Sequence, residues 1–193
     1  MDNFNSVRDL IRHQFTVTSY GGKGCYNDMD MLVVGMNGKG NVGLGGCSER
    51  EYRTHFAAWC MFRSPLMIGC DVRTADAFTL SLLKNPLLLS IDQDEKCAQC
   101  TLRVLTNNDK DVCFTAARPL SNGDIAVGLF NLSETERNLS FLLEEYGIGV
   151  SSGRALELTD CWEGKKSRSQ NGVISVCLAP HDCVVYRAKV VKE

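Results

Sequence analysis

The chain is 193 residues long, 44% hydrophobic and 23% charged, with a formal charge of −2 from 21 basic and 23 acidic side chains. That composition excludes a disordered chain. The charges are spread evenly along the sequence, which argues against nucleic acid or an anionic membrane as partner. No apolar run approaches the roughly 18–20 residues that cross a bilayer. The opening Met-Asp-Asn-Phe-Asn has neither the basic start nor the apolar stretch of a signal peptide.

In chain order, Ser6–Phe15 is predicted as a helix with Val7, Leu10 and Ile11 on one face. Met31–Gly35 is a short, nearly all-apolar run, the pattern of a strand buried on both faces of a parallel sheet. After a glycine-rich loop, Ser48 and Glu51 have capping-box spacing and announce a helix from about Glu49 to Phe62, with Tyr52, Phe56 and Trp59 along one stripe, stopped by Pro65. Leu66–Gly69 is a second strand candidate. Thr74 is expected to cap a helix over Ala75–Lys84 that closes at Asn85-Pro86, and Leu87–Ile91 is a third apolar run. Strand–helix alternation of this kind means βαβ units and a parallel sheet.

After Asp94 the rhythm changes to seven short strand-like runs: Thr101–Leu105, Val112–Ala116, Ile125–Phe130, Leu139–Leu143, Ala155–Leu158, Val173–Leu178 and Cys183–Arg187. Turn residues separate them, and Asn171-Gly172 is a strong hairpin signal. This spacing predicts an antiparallel sandwich, with a domain boundary near residue 94: 1–94, then 95–193. The first part supplies too few βα units to cover both faces of a parallel sheet. The exposed strand edges this leaves would favour pairing with another chain, including a second copy.

Four features invite a chemical reading. Gly38–Gly43 is a literal GxGxxG, but the following helix starts only at Ser48, too late for its N-terminus to meet a pyrophosphate. A glycine loop is the plainer reading, and a nucleotide-binding βαβ protein the alternative. Asp28 and Asp30 lie two apart. In an extended segment both carboxylates would face one side at about 6–7 Å, the order of separation that glycoside hydrolysis uses. The same pair also suits a metal site or a self-bonded loop. Cys97 and Cys100 form a CxxC without a second pair; Cys113 and a later cysteine could complete a zinc site, but a loop between domains is the plainer reading. The ten cysteines have no regular spacing, and several, such as Cys60 and Cys70, sit in apolar runs. They read as mostly reduced core residues of an intracellular chain. His55, inside the amphipathic helix, reads as packed or surface-facing, and the sequons at Asn131 and Asn138 matter only in a secreted protein.

Taken together, these segments resemble the C-terminal part of family 27 glycoside hydrolases, the α-galactosidase or melibiase family. Tyr26-Asn-Asp-Met-Asp-Met-Leu32 resembles the family's W-N-D-P-D-M-L. Glu51–Trp59, Pro65–Arg73, Ile91-Asp-Gln-Asp94 and Pro180-His181 before Val184–Arg187 follow the family pattern in order. The resemblance implies the last βα units of a (β/α)8 barrel followed by an antiparallel β-sandwich. It also implies a retaining enzyme that cleaves terminal α-linked galactose without metal or cofactor. Asp30 and Met31 match sugar-contacting positions, and Asp28 and Tyr26 positions that support them. The family's nucleophile and acid/base segments have no counterpart in this sequence. Asp2 aligns slightly past the acid/base, so no catalytic residue is assigned and no turnover is expected of the chain. A non-catalytic carbohydrate-binding or assembly module is the alternative from another class. The departures from the family pattern are Tyr26 for tryptophan, Met29 for proline, Cys70 for asparagine and Asp92 for asparagine.

Overall fold

The computed structural model describes residues 2–39, 45–149, 152–169 and 171–192. Four helices come first: α1 Phe4–Val17, α2 Glu49–Phe62, α3 Ala77–Leu83 and α4 Pro86–Asp92. Eight strands follow: β1 Thr101–Asn107, β2 Val112–Pro119, β3 Ile125–Asn131, β4 Arg137–Leu142, β5 Arg154–Asp160, β6 Lys166–Ser169, β7 Val173–Leu178 and β8 Asp182–Lys192. No helix among the described residues is long and apolar enough to cross a membrane.

Local chemistry sets the helix ends. Asn3 caps α1 by accepting the Ser6 N–H. Ser48 and Glu51 form the expected capping box on α2. That helix ends before Pro65, on Arg63 in the left-handed region at φ 59°. Two expectations fail at α3 and α4. Asp76, not Thr74, caps α3 by accepting the Thr79 N–H at 2.7 Å. Asn85-Pro86, read as a stop, is a start: Asn85 Oδ1 accepts the N–H groups of Leu87 and Leu88, and Pro86 occupies the first helical position. Leu87–Ile91 is therefore helix, with Leu88 and Ile91 buried. The two apolar runs read as parallel strands meet in one parallel bridge, Leu32 to Ile68. Its two hydrogen bonds are Leu32 N–H to Met67 C=O at 2.7 Å and Gly69 N–H to Leu32 C=O at 2.9 Å.

The strands form a six-stranded antiparallel sheet in the order β1-β2-β3-β8-β5-β6 and a two-stranded sheet, β4-β7. β6 escaped the sequence reading because Lys-Ser-Arg-Ser has no apolar alternation; it is held as an edge by pairing with β5. Asn171 and Gly172 do adopt positive φ, 55° and 64°, but they make no hairpin. β6 pairs with β5 and β7 with β4, so this turn carries the chain from one sheet to the other.

The large sheet is the middle layer. One face, including Phe114, Ala126 and Phe130, packs on the helices in a core that contains Ile11, Trp59, Met61 and Leu88. The opposite face, including Val127, Leu129 and Leu156, packs on Leu139, Phe141 and Ile174 of the small sheet. Every residue of β3 is buried, because alternate side chains enter different cores. The Phe114 and Phe130 rings stack at 4.7 Å. At Gly128, a Cβ would stand 2.5 Å from the Phe130 ring and 3.5 Å from the Met61 side chain. Replacing Gly128 with Ala should therefore lower stability by about 1–3 kcal/mol through overpacking. The urea midpoint should fall at unchanged slope, and an unchanged midpoint would show that β3 has room to spare.

Candidate functional site

The site is built where α2 meets the segment 28–38. That segment has little sheet pairing, and side chains on and just after α2 take up its backbone groups instead. Ser64 Oγ accepts the Met29 N–H at 2.9 Å. Trp59 Nε1–H donates to the Asp30 carbonyl at 2.8 Å. His55 Nε2 accepts the Val33 N–H at 3.0 Å, and Tyr52 Oη accepts the Asn37 N–H at 2.8 Å. Full burial pushes the His55 pKa down to about 3, so the ring stays neutral and keeps the lone pair this bond needs. The buried Asp2 carboxylate closes the far end: it accepts the Tyr52 O–H at 2.8 Å, the Gly38 N–H at 2.7 Å and the Cys47 N–H at 3.4 Å. Burial, reinforced by Asp2, pushes the Tyr52 hydroxyl and the Cys47 thiol up. The reading of α2 as an apolar stripe missed this role. The signal was there in polar-tipped side chains at positions 52, 55 and 59, which share a helical face.

The sequence-identified residues occupy the outer side of this segment. Met29 is fully buried, while Asp28, Asp30 and Met31 are exposed. Asp30 departs from the expected extended backbone, with φ 72°. Asp28 Oδ1 accepts the Asp30 N–H at 2.9 Å, and Asp30 Oδ1 accepts the Met31 N–H at 2.7 Å. The two carboxylates thus sit on one self-bonded turn. Met31 lies over Gly69, where a Cβ would come within 2.7 Å of its sulfur. Tyr26 is separated from the aspartates in role. Its ring stacks under the Arg63 guanidinium at 4.6 Å and lines a cleft of ≈ 410 Å³ with Asp92, Asp94 and Cys97, whose lining does not include Asp28 or Asp30.

Asp92 borders that cleft. Burial pushes its pKa up to about 7, against the pull of Arg118 and Arg63, and its Oδ1 is buried without a hydrogen-bond partner. Arg118 donates to the Cys60 and Met61 carbonyls at 3.3 and 3.2 Å, tying β2 to the end of α2.

Of the other candidates, most of Gly38–Gly43 lies outside the described residues. Cys97 sits in a loop at φ 53°, and Cys100 Sγ–H donates to the Met61 carbonyl at 2.8 Å. Among the described residues, no group of three or more His, Cys, Asp or Glu is placed to hold a metal. Cys60 is buried but Cys70 is only half-buried, a departure from the core reading. Burial pushes the Cys100, Cys161 and Cys183 thiols up to about 12, which leaves them unreactive. His181 joins the layers: its ring stacks on Phe4 at 4.3 Å, with Nδ1 2.7 Å from Glu51 and Nε2 3.3 Å from Glu134.

Residues 1–94 match the family model described as Alpha galactosidase A, and residues 115–188 that of the Alpha galactosidase C-terminal beta sandwich domain. The chain belongs to the α-galactosidase family, glycoside hydrolase family 27, and corresponds to its C-terminal part. It is 33% identical to an alpha-galactosidase of Cyamopsis tetragonoloba over 96% of its own length and 42% of that protein's. For an alpha-galactosidase of rice the values are 35%, 96% and 41%. It therefore spans about two fifths of the length of these relatives. A solved Bacteroides fragilis protein named as an alpha-galactosidase/melibiase superposes with a TM-score of 0.80 at 30% identity, covering 95% of this chain and 38% of that one. A β-L-arabinopyranosidase of Geobacillus stearothermophilus superposes with a TM-score of 0.79 at 25% identity, covering 97% and 42%. As the family resemblance implied, the fold is the tail of a barrel joined to a β-sandwich.

His55 and Asp92 give this family 27 chain opposing pH terms. The depressed His55 pKa contributes stability that is present above about pH 6.5 and lost as pH falls toward about 3. The raised Asp92 pKa does the reverse: its native form is protonated, so stability is lost as pH rises from about 4 through about 7. Asp92→Asn, which replaces the carboxyl with an amide of similar shape, removes only the second effect. Its stability relative to wild type should rise by on the order of 2–4 kcal/mol between pH 4.5 and pH 8. Parallel urea-unfolding profiles for the two proteins across that range would refute the assignment.

Proposed function

We propose that the chain is the C-terminal part of a retaining α-galactosidase-type glycosidase that hydrolyses terminal α-linked galactose. In this reading residues 1–94 contribute a wall of the sugar pocket and residues 95–193 the sandwich that braces it. The observation that carries the proposal is the ordered match of the chain to the family's two models. The exposed Asp28–Asp30 turn, held from beneath by Trp59, supports it.

Asp30 and Met31 contact the sugar; Asp28 fixes the turn that presents them, and Tyr26 braces the approach through Arg63. An exposed carboxylate fixed by backbone donors is a rigid acceptor, and sugar hydroxyls supply donors. Retaining hydrolysis needs two further groups about 5–5.5 Å apart, one to attack the anomeric carbon and one to protonate the leaving oxygen. By the family resemblance these lie in segments that this sequence does not contain, so the chain supplies binding rather than chemistry. Galactose and L-arabinopyranose share a ring and differ by one hydroxymethyl group, so the relative named as an arabinopyranosidase leaves both as candidate sugars.

Two measurements test this. The chain alone should hydrolyse an aryl α-galactoside no faster than buffer does, and sustained turnover would show that catalytic groups are present in it. Titration with galactose and with L-arabinose should move the amide signals of Asp30 and Met31, and Asp30→Ala should abolish the response. A response that survives the change would place the sugar elsewhere and favour a separate binding module.

The apolar side chains around the Leu32–Ile68 bridge, Met67 at 65%, Val72 at 52%, Met31 at 48% and Ile68 at 48% exposure, favour self-association of the chain at this edge. Sedimentation should show concentration-dependent association, reduced by Met67→Lys; a monomer at all concentrations would exclude it.

A further inference from the structure

A second cleft, of ≈ 330 Å³, lies where α2, α3 and the turn after β5 meet, away from the Asp28–Asp30 turn. Its size is in the range of small-molecule sites. Phe78 and Leu82 supply apolar wall, and Arg53 and Trp162 supply the rest of the recognition chemistry. The Arg53 guanidinium stacks on the Trp162 indole at 4.6 Å. Stacking fixes the plane of the guanidinium and leaves its edge donors unused. Among the described residues no hydrogen bond or ion pair engages them.

The remaining polar groups are already satisfied. Asn85 donates to the Cys161 carbonyl at 2.8 Å and caps α4 with its oxygen. Ser81 donates to the Phe78 carbonyl at 2.7 Å. Glu163 feels the Arg53 charge, but its close partner is Lys165 at 2.6 Å, which with that more distant charge holds its carboxyl below the usual range. The cleft thus offers a pre-oriented cationic fork beside an apolar wall, with its main acceptors committed.

From this we infer a binding site for a small carboxylate carried on an apolar ring or chain. The carboxylate would accept two parallel N–H bonds from Arg53, and the body would lie against Phe78 and Leu82. The site is distinct from the proposed sugar pocket, and the inference stands whether or not galactose binds at Asp30.

Sodium benzoate is the probe, titrated into the labelled whole chain at constant ionic strength. The indole N–H of Trp162, buried and without an acceptor among the described residues, is the reporter, and that of the fully buried Trp59 the control. Saturable movement of the Trp162 signal alone is expected, with a Kd on the order of 1–10 mM. Benzyl alcohol, which has the ring without the charge, should give no saturable response. Arg53→Gln should weaken benzoate at least about tenfold. Arg53→Lys keeps the charge but loses the fork, so it should also weaken binding; it decides the matter if the Gln variant fails to fold. No saturable shift up to about 50 mM benzoate, an equal response to the alcohol, or undiminished binding by a folded Arg53 variant would each overturn the inference.

Discussion

The buried N–H groups of residues 29–37 constrain the whole structure. A buried backbone donor must find an acceptor, and this segment makes a single parallel bridge to its neighbour. Ser64, His55 and Tyr52 provide the missing acceptors, and Trp59 donates to the Asp30 carbonyl. α2 acts here as a substitute for a neighbouring strand. This dependence is consistent with the burial of α2 from Thr54 to Phe62, with a neutral His55, and with an exposed aspartate held at positive φ. The Asp28–Asp30 turn is the solvent-facing side of the same construction.

The second constraint is the doubly buried large sheet. Its helix-facing core mixes residues from before and after residue 94, including Trp59, Leu88, Phe114 and Phe130. Arg118 and His181 add polar ties across the same contact. The change of rhythm in the sequence is therefore not a change of core. Gly128 faces Met61 and Arg118 bonds the Cys60 and Met61 carbonyls, so both contact the end of α2, which leads into Ser64.

Family membership gives these contacts a meaning. In the proposed function the 28–31 turn faces the sugar; in the structure it is an exposed turn whose backbone is held by Trp59 of α2 and by Ser64 just after it. Asp92 stands out because its carboxyl is largely buried and its Oδ1 has no hydrogen-bond partner among the described residues. Its cost rises with pH, while that of protonating His55 rises as pH falls. The Arg53–Trp162 cleft lies on the other side of α2, built from a stacked cation that those contacts do not use.

How much could be read beforehand depended on whether the signal was local. The capping box and extent of α2, the apolar face of α1 and seven of the strands follow from spacing and turn residues, because caps and alternation act over a few residues. The family resemblance singled out Asp28, Asp30 and Met31, which lie on one exposed, self-bonded turn. The reading failed where a local cap was taken for a stop, or where the deciding partner was distant. Leu87–Ile91 is apolar enough for a strand, but Asn85 and Pro86 start a helix there; β6 has no pattern and exists only by pairing with β5; Asn171-Gly172 turns the chain between sheets instead of into a hairpin. Composition and local pattern alone determined the two rhythms and the approximate place of most elements, and the resemblance of ordered motifs pointed to the family. Only the tertiary structure decided which faces share a core, that the polar tips of Tyr52, His55 and Trp59 hold a backbone, that Asp92 Oδ1 is buried without a hydrogen-bond partner among the described residues, and that Arg53 stacks on Trp162, because hydrogen bonding and desolvation depend on neighbours that are far apart in the chain.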